Sequence, residues 1–146
     1  MWNIPASRAK NNKAHTVHLN DLAVEIIKGL PQINGSEFVF TINGTKPLVN
    51  FSFAKRRAER AMGTSDWRIH DLRRTATTLM ARLGIPPHVA DKVLNHQSGR
   101  ISGVAAVYNR FEYLDERKAA LEALGRFIEK LIGRGGDNVV ELRPTA

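Results

Sequence analysis

His70 and Arg73, then His96, then Tyr108 stand in the order and at the separations that a tyrosine nucleophile acting on a phosphodiester needs. A phosphodiester is anionic, and attack on phosphorus builds further charge on the non-bridging oxygens. Fixed cationic donors stabilise that charge without a metal. Arg73 suits the task because a guanidinium stays charged and presents a planar fork matching two phosphate oxygens. His70 precedes it by three residues, so on a helix the two share a face and can converge on one phosphate, with Leu72 and Leu79 turned to the core.

Tyr108 supplies the nucleophile in this scheme. A phenol attacking phosphorus leaves a covalent phosphotyrosine that stores the energy of the broken bond. The free phenol has a pKa of about 10, so neighbouring cations must favour the phenolate as it forms. His96 can donate to a phosphate oxygen or position the tyrosine. The leaving 5′ oxygen also needs a proton, and Lys10 is the candidate donor. Lys10 lies between Trp2-Asn3-Ile4-Pro5 and His15-Thr16-Val17-His18-Leu19, in a polar stretch rich in Asn and Lys. That pattern predicts a β-hairpin with a mobile basic tip able to enter a DNA groove.

With these residues in view, the chain resembles the catalytic domain of tyrosine recombinases, the phage-integrase family, in its prophage and genomic-island branch. The resemblance rests on the Trp-x-Ile-Pro strand before the lysine, the His-x-Val-x-Leu strand after it, His70-x-x-Arg73, Leu94-x-His96, and Tyr108 in a Tyr-Asn-Arg context running into Glu112-Tyr113-Leu114-Asp115. Each motif is short; the ordered set carries the likeness, from Trp2 to about Ile132. It implies a 3′-phosphotyrosyl bond at Tyr108, phosphate contacts from Arg73 and His96, proton transfer and phosphate contact by His70, and leaving-group protonation by Lys10. It also implies double-stranded attachment-site DNA as partner, dimers or tetramers on that DNA, and accessory DNA-bending proteins. The family places a further arginine, in a Gly-x-Arg-x-x-Glu helix, well before the lysine hairpin. Arg8, two residues before Lys10, is not that residue. The expectation is thus an incomplete catalytic domain, either excised from a longer integrase or naturally truncated.

Composition agrees. The chain has 146 residues, 42% hydrophobic, with a net charge of +8, enough for one domain with a core and favouring a polyanionic partner. A basic surface also suits an acidic protein or a membrane, so charge alone does not choose. There is no cysteine, hence no disulfide framework or thiolate metal site. No apolar run approaches the roughly 20 residues of a membrane span, and no signal peptide is visible. The expected location is the cytoplasm, at the nucleoid. His15, His18 and His88 lack a carboxylate or cysteine at metal-ligand spacing, so neither metal nor cofactor is expected.

The elements that must hold these groups are mostly helical. Asn20 caps a helix with an apolar stripe of Leu22, Ile26, Ile27 and Leu30, stopped by Pro31. Phe38-Val39-Phe40 reads as a small strand before the Asn43-Gly44 turn. Asn50 caps a helix from Phe51 to Met62 whose Lys55, Arg56, Arg57 and Arg60 make a basic face, read equally as a track for the DNA backbone or as solvated surface. A helix from near His70 runs to about Leu83, and another opens at Pro86-Pro87 with Val89, Val93 and Leu94 inward. Ser98-Gly99 and Ser102-Gly103 bracket a flexible link to Tyr108. A long helix from about Tyr113 to Ile132 carries Leu114, Leu121, Leu124, Phe127, Ile128 and Leu131.

The fold class expected is α+β, mainly α, with a small amino-terminal antiparallel sheet. Residues 1–133 form the partial catalytic domain. Residues 134–146 form a loose or partner-docking tail, with Val139, Val140 and Leu142 as apolar contacts. Tyr113 competes with Tyr108 as nucleophile, although packing suits it better, and Lys13 competes with Lys10. Lys13 and Arg74 join the basic helix as candidate DNA contacts, with an ion pair to Asp71 or Glu59 the stronger reading for Arg74. Two other functions fit the same residues: a non-catalytic DNA-binding or assembly fragment, and a relaxing topoisomerase of the same chemistry.

Overall fold

The fold, taken from a computed structural model, is described for residues 1–96 and 112–134. Strands β1 (Trp2–Ile4) and β2 (His15–Val17) pair antiparallel, with Trp2 opposite Val17 and Ile4 opposite His15. Thr16 Oγ1 donates to Asn3 Oδ1 across the pair at 3.0 Å. A two-stranded ribbon this short is marginal on its own, so what anchors it matters. Five helices follow among the described residues: α1 (Asp21–Lys28), α2 (Ser52–Met62), α3 (Ile69–Arg82), α4 (Pro87–Val93) and α5 (Leu114–Leu131). The mainly helical fold with one small amino-terminal sheet is the architecture expected.

The core lies where α3, α4 and α5 meet. Met80, Ala90 and Leu124 are buried together, with Ala76, Leu79, Leu83, Ile85, Val93, Leu94 and Ile128 packed around them. Val89 and Ala120 are buried as well. The inward placing of Val89, Val93 and Leu94 therefore holds. Helix α1, whose Leu22 is buried, is tied to α5 by Asn20, whose Oδ1 caps α1 by accepting from the Ala23 N–H at 2.9 Å while its Nδ2 donates to the Leu121 carbonyl at 2.7 Å. Gly125 allows this close approach, since a Cβ there would sit 2.2 Å from Asn20 Nδ2.

Several sequence expectations need correction. Leu72, expected in the core, is 61% exposed, because the part of α3 that packs on α4 and α5 is led by Ala76, Leu79 and Met80. Ile26, Leu114 and Leu131 are exposed too, lying at helix ends or beside the contact stripe. Phe38-Val39-Phe40 is not a strand; an isolated bridge joins Thr41 and Pro47 around the Asn43-Gly44 turn. Asn50 accepts from the Ser52 N–H at 2.9 Å, so the helix it starts begins one residue later than expected. Helix α2 buries none of its side chains, and Phe38, Phe40, Ile42, Val49, Phe51 and Phe53 around it are exposed.

Candidate active site

Helix α3 begins with Asp71 Oδ2 accepting the Arg68 N–H at 2.8 Å, the acidic half of a capping box. That bond, reinforced by Arg74, holds the Asp71 carboxyl below its ordinary range. His70 therefore sits in the first turn and Arg73 one turn on, both within α3. His70 is exposed and Arg73 half-buried.

The partner of Arg73 comes from the end of α4. There Asn95 takes a left-handed conformation with φ 54°. The Asn95 N–H bonds the Lys92 carbonyl at 3.2 Å and the His96 N–H reaches back to the Asp91 carbonyl at 2.9 Å. This is a Schellman ending, and Asn is among the few residues that adopt its left-handed position readily. It folds His96 back over the last turn of α4. Arg73 Nε donates to His96 Nε2 at 3.2 Å, Arg73 Nη2 donates to the Leu94 carbonyl, and His96 Nδ1 lies 3.3 Å from Asp91 Oδ1. Arg73 and His96 are thus brought together from positions 23 residues apart.

The lysine hairpin is tethered to the same place. A 3-10 turn over Ala6–Arg8 leads into the tip, where Asn11 Oδ1 accepts from the Lys13 N–H at 3.1 Å and Asn11 Nδ2 donates to Asn95 Oδ1 at 2.8 Å. The tip is held to the His96 turn, which corrects the expectation of a free, mobile tip. Lys10 is exposed and adjoins Asn11 as His96 adjoins Asn95.

A second network supports the ribbon from below. Arg117 on α5 is only 5% exposed. Its Nη2 donates to the Thr16 carbonyl and lies 3.4 Å from His15 Nδ1; its Nη1 donates to the Glu112 carbonyl at 3.3 Å. Glu112 also pairs with Lys92 of α4 at 3.0 Å. Burial, followed by the Arg117 charge, holds His15 below the ordinary imidazole pKa, against a hydrogen bond to the Val93 backbone that favours the charged ring. Burial likewise lowers Arg117. His18 bonds Glu122 at 2.5 Å, a further link between the ribbon and α5. Sequence reading passed over Arg117, Asp91, Asn11 and Asn95. The visible signals were an Asn before His96 at a helix end and an Asp five residues upstream of it.

Of the other candidate contacts, Lys55 is engaged with Glu59 and sits 5.1 Å from the Trp67 ring centroid. Arg56, Arg57, Arg60 and Lys13 are exposed. Arg74 pairs with Asp71 at 3.4 Å, the ion pair favoured for it from sequence. Tyr113 packs against the His88 ring, with centroids 4.8 Å apart. Tyr108 lies outside the described residues, as do Ser98, Gly99, Ser102, Gly103 and the segment carrying Val139, Val140 and Leu142. Among the described residues no three His, Cys, Asp or Glu side chains group as a metal site, and no helix is long and apolar enough to cross a membrane.

Comparison with known proteins bears on this arrangement. The sequence pattern of the phage integrase family matches residues 1–113, a span that includes Lys10, His70, Arg73, His96 and Tyr108. The chain is 34% identical to prophage integrase IntA of Escherichia coli (strain K12) over 124 residues, which cover 83% of the chain and 29% of that relative. No solved structure matches the chain.

Proposed function

The chain belongs to the phage integrase family, and from that premise we propose that it supplies the carboxy-terminal part of a catalytic centre that breaks and rejoins DNA for integration or excision of a mobile element. In this reading Tyr108 attacks a phosphodiester and its oxygen bonds to phosphorus. The 5′ oxygen leaves with a proton from Lys10, and the DNA stays attached through a 3′-phosphotyrosyl bond until a 5′ hydroxyl reverses the step. Arg73 and His96 contact the scissile phosphate, and His70 assists in phosphate contact and proton transfer. The single observation that carries the reading is the Arg73–His96 contact at 3.2 Å, which joins two motifs distant in sequence. The tether of Asn11 to Asn95 supports a role for Lys10 beside them.

The chain spans 29% of the length of the relative it matches. The activity of a whole integrase, its assembly as dimers or tetramers on attachment sites, the use of DNA-bending proteins and partner docking by residues 134–146 are therefore parts of the proposal. So is the further phosphate-binding arginine that the family carries upstream of its lysine hairpin. Removing one such donor typically costs ~10²-fold or more in rate, so cleavage is to be tested in an integrase that carries it, and DNA binding without cleavage is the second reading.

A nicked suicide duplex that traps the covalent intermediate tests the proposal. The expected result is a protein–DNA adduct in an integrase carrying this domain, absent in Tyr108→Phe and reduced ~10²-fold or more in Arg73→Ala. An adduct that survives Tyr108→Phe overturns the nucleophile assignment. DNA binding without an adduct selects the second reading. Affinity should fall steeply with salt, by a slope of about −0.9 per phosphate neutralised.

A further inference from the structure

We propose that Asp91 is a positioning residue for the active site: its carboxylate holds the His96 ring with the proton on Nδ1, so that Nε2 faces the Arg73 guanidinium. The role in DNA chemistry rests on the reading of His96 as a phosphate contact. The state of the ring follows from hydrogen bonding alone.

An arginine Nε–H can only donate. At 3.2 Å from His96 Nε2 it requires that nitrogen to accept, so the neutral ring carries its proton on Nδ1. Nδ1 lies 3.3 Å from Asp91 Oδ1, which accepts that proton's hydrogen bond. A histidine in water favours the other tautomer, so the pair of neighbours must impose this one. Their placement comes from the backbone. The Schellman ending of α4 sends the His96 N–H to the Asp91 carbonyl at 2.9 Å, which stacks the two residues on one turn although five positions separate them. Asn95, in the left-handed position, is fixed in turn by Asn11.

The consequence concerns what a phosphate meets. Arg73 has the Leu94 carbonyl on Nη2 and His96 on Nε, which among the described residues leaves Nη1 for an incoming anion. As the guanidinium turns to a phosphate, Nε2 of His96 is the imidazole atom left beside it. To donate there, Nε2 takes up a proton, and the Asp91 carboxylate on the opposite nitrogen offsets the added charge. A carboxylate that orients an imidazole from its far side is a recurring device for fixing which ring nitrogen does the work.

Nitrogen-15 NMR of the histidine rings tests this on the chain itself, at a pH well above the ordinary imidazole range. The expected result is a protonated-type Nδ1 and an unprotonated-type Nε2 for His96, assigned by its disappearance in His96→Gln. In Asp91→Ala the ring loses the acceptor that holds it against Arg73 and is expected to turn away and gain Nε2–H, whereas Asp91→Asn, which keeps an acceptor oxygen, should retain the wild-type pattern, with the amide spectrum showing both variants folded. A wild-type ring protonated on Nε2, or one unchanged in Asp91→Ala, overturns the proposal. Addition of a short DNA duplex then separates the two readings. Conversion of Nε2 to the protonated type supports the phosphate contact, and a His96 ring unmoved by bound duplex overturns that contact and with it the role of Asp91 in the chemistry, while leaving the tautomer assignment intact.

Discussion

The side-chain amide of Asn11 donates to the side-chain oxygen of Asn95 at 2.8 Å, joining the turn that carries Lys10 to the helix end that carries His96. The two residues are 84 positions apart, and each is next to a proposed active-site group. The bond does two things. It pins the tip of a ribbon too short to be rigid alone, and it occupies the amide of a residue already in a left-handed conformation. The bond therefore couples the hairpin to the helix end.

Removing either amide breaks the bond, and Asn11→Ala also removes the acceptor of the Lys13 N–H. Asn11→Ala and Asn95→Gly each delete the bond while Gly keeps the left-handed backbone, so each is expected to destabilise the fold by about 0.5–1.5 kcal/mol. The double variant should cost little more than Asn11→Ala alone. Urea unfolding measures the cycle, and strict additivity would show that the two amides are not coupled. Asn95→Ala should be worse than Asn95→Gly by roughly 1 kcal/mol, because alanine pays for the left-handed conformation.

Much of this was legible in the sequence, and the failures share a cause. The helix starts and stops around α1, α3, α4 and α5 follow from capping residues, prolines and apolar spacing, which are local. His70, Arg73 and His96 could be singled out because their chemistry is written in residue type and order. Leu72 and the Phe38–Phe40 stretch were misread because apolar spacing says that a residue can be buried, not that a partner is at hand. Helix α2, the next helix along the chain, itself buries no side chain. Asp91 and Arg117 were passed over because their roles depend on a helix ending and on a contact between β2 and α5, neither of which a single segment reveals.

Arg117 should be the costliest polar side chain to remove. It is buried, donates to the Thr16 carbonyl, and spans from β2 to Glu112. Replacement by Met keeps much of the packing volume but leaves these acceptors unpaired, for an expected loss of roughly 2–3 kcal/mol. Arg117→Lys should recover only part of it, since one ammonium cannot reproduce the guanidinium fork. Denaturant midpoints of the three proteins decide the matter; equal midpoints for wild type and Met would show the network to be dispensable.

Gly125→Ala offers a test of the α1–α5 contact. In an open helix this change stabilises by roughly 1 kcal/mol. Here the new methyl would meet Asn20 Nδ2 at 2.2 Å and Cγ at 2.8 Å. To make room Asn20 must give up its bonds to the Leu121 carbonyl and the Ala23 N–H. The expected result is a net destabilisation of about 1–2 kcal/mol. In an Asn20→Ala background the obstruction is gone, and the same Gly125→Ala change should then be neutral or stabilising. A penalty that persists in that background would place the clash elsewhere.

Stability should depend on pH in two separate windows. His15 is held below the ordinary imidazole value of 6.5, first by burial and then by Arg117. Below pH 6.5 the unfolded chain takes up a proton there while the folded protein resists it, so the unfolded state binds more protons and stability falls as pH falls. The loss begins near pH 6.5 and stops growing once pH passes the lowered folded-state value. Asp71 acts in a more acidic window: its carboxyl is held below 3.8, first by the Arg68 N–H and then by Arg74, so its contribution is complete above about that pH and is lost as pH falls through the folded-state value. His15→Gln cannot gain a proton and should flatten the first window alone, whereas Asp71→Asn should flatten the second alone. Urea midpoints taken from pH 8 to pH 3 read both. A difference between wild type and His15→Gln that stays constant across the first window would show that His15 titrates alike in the folded and unfolded chain.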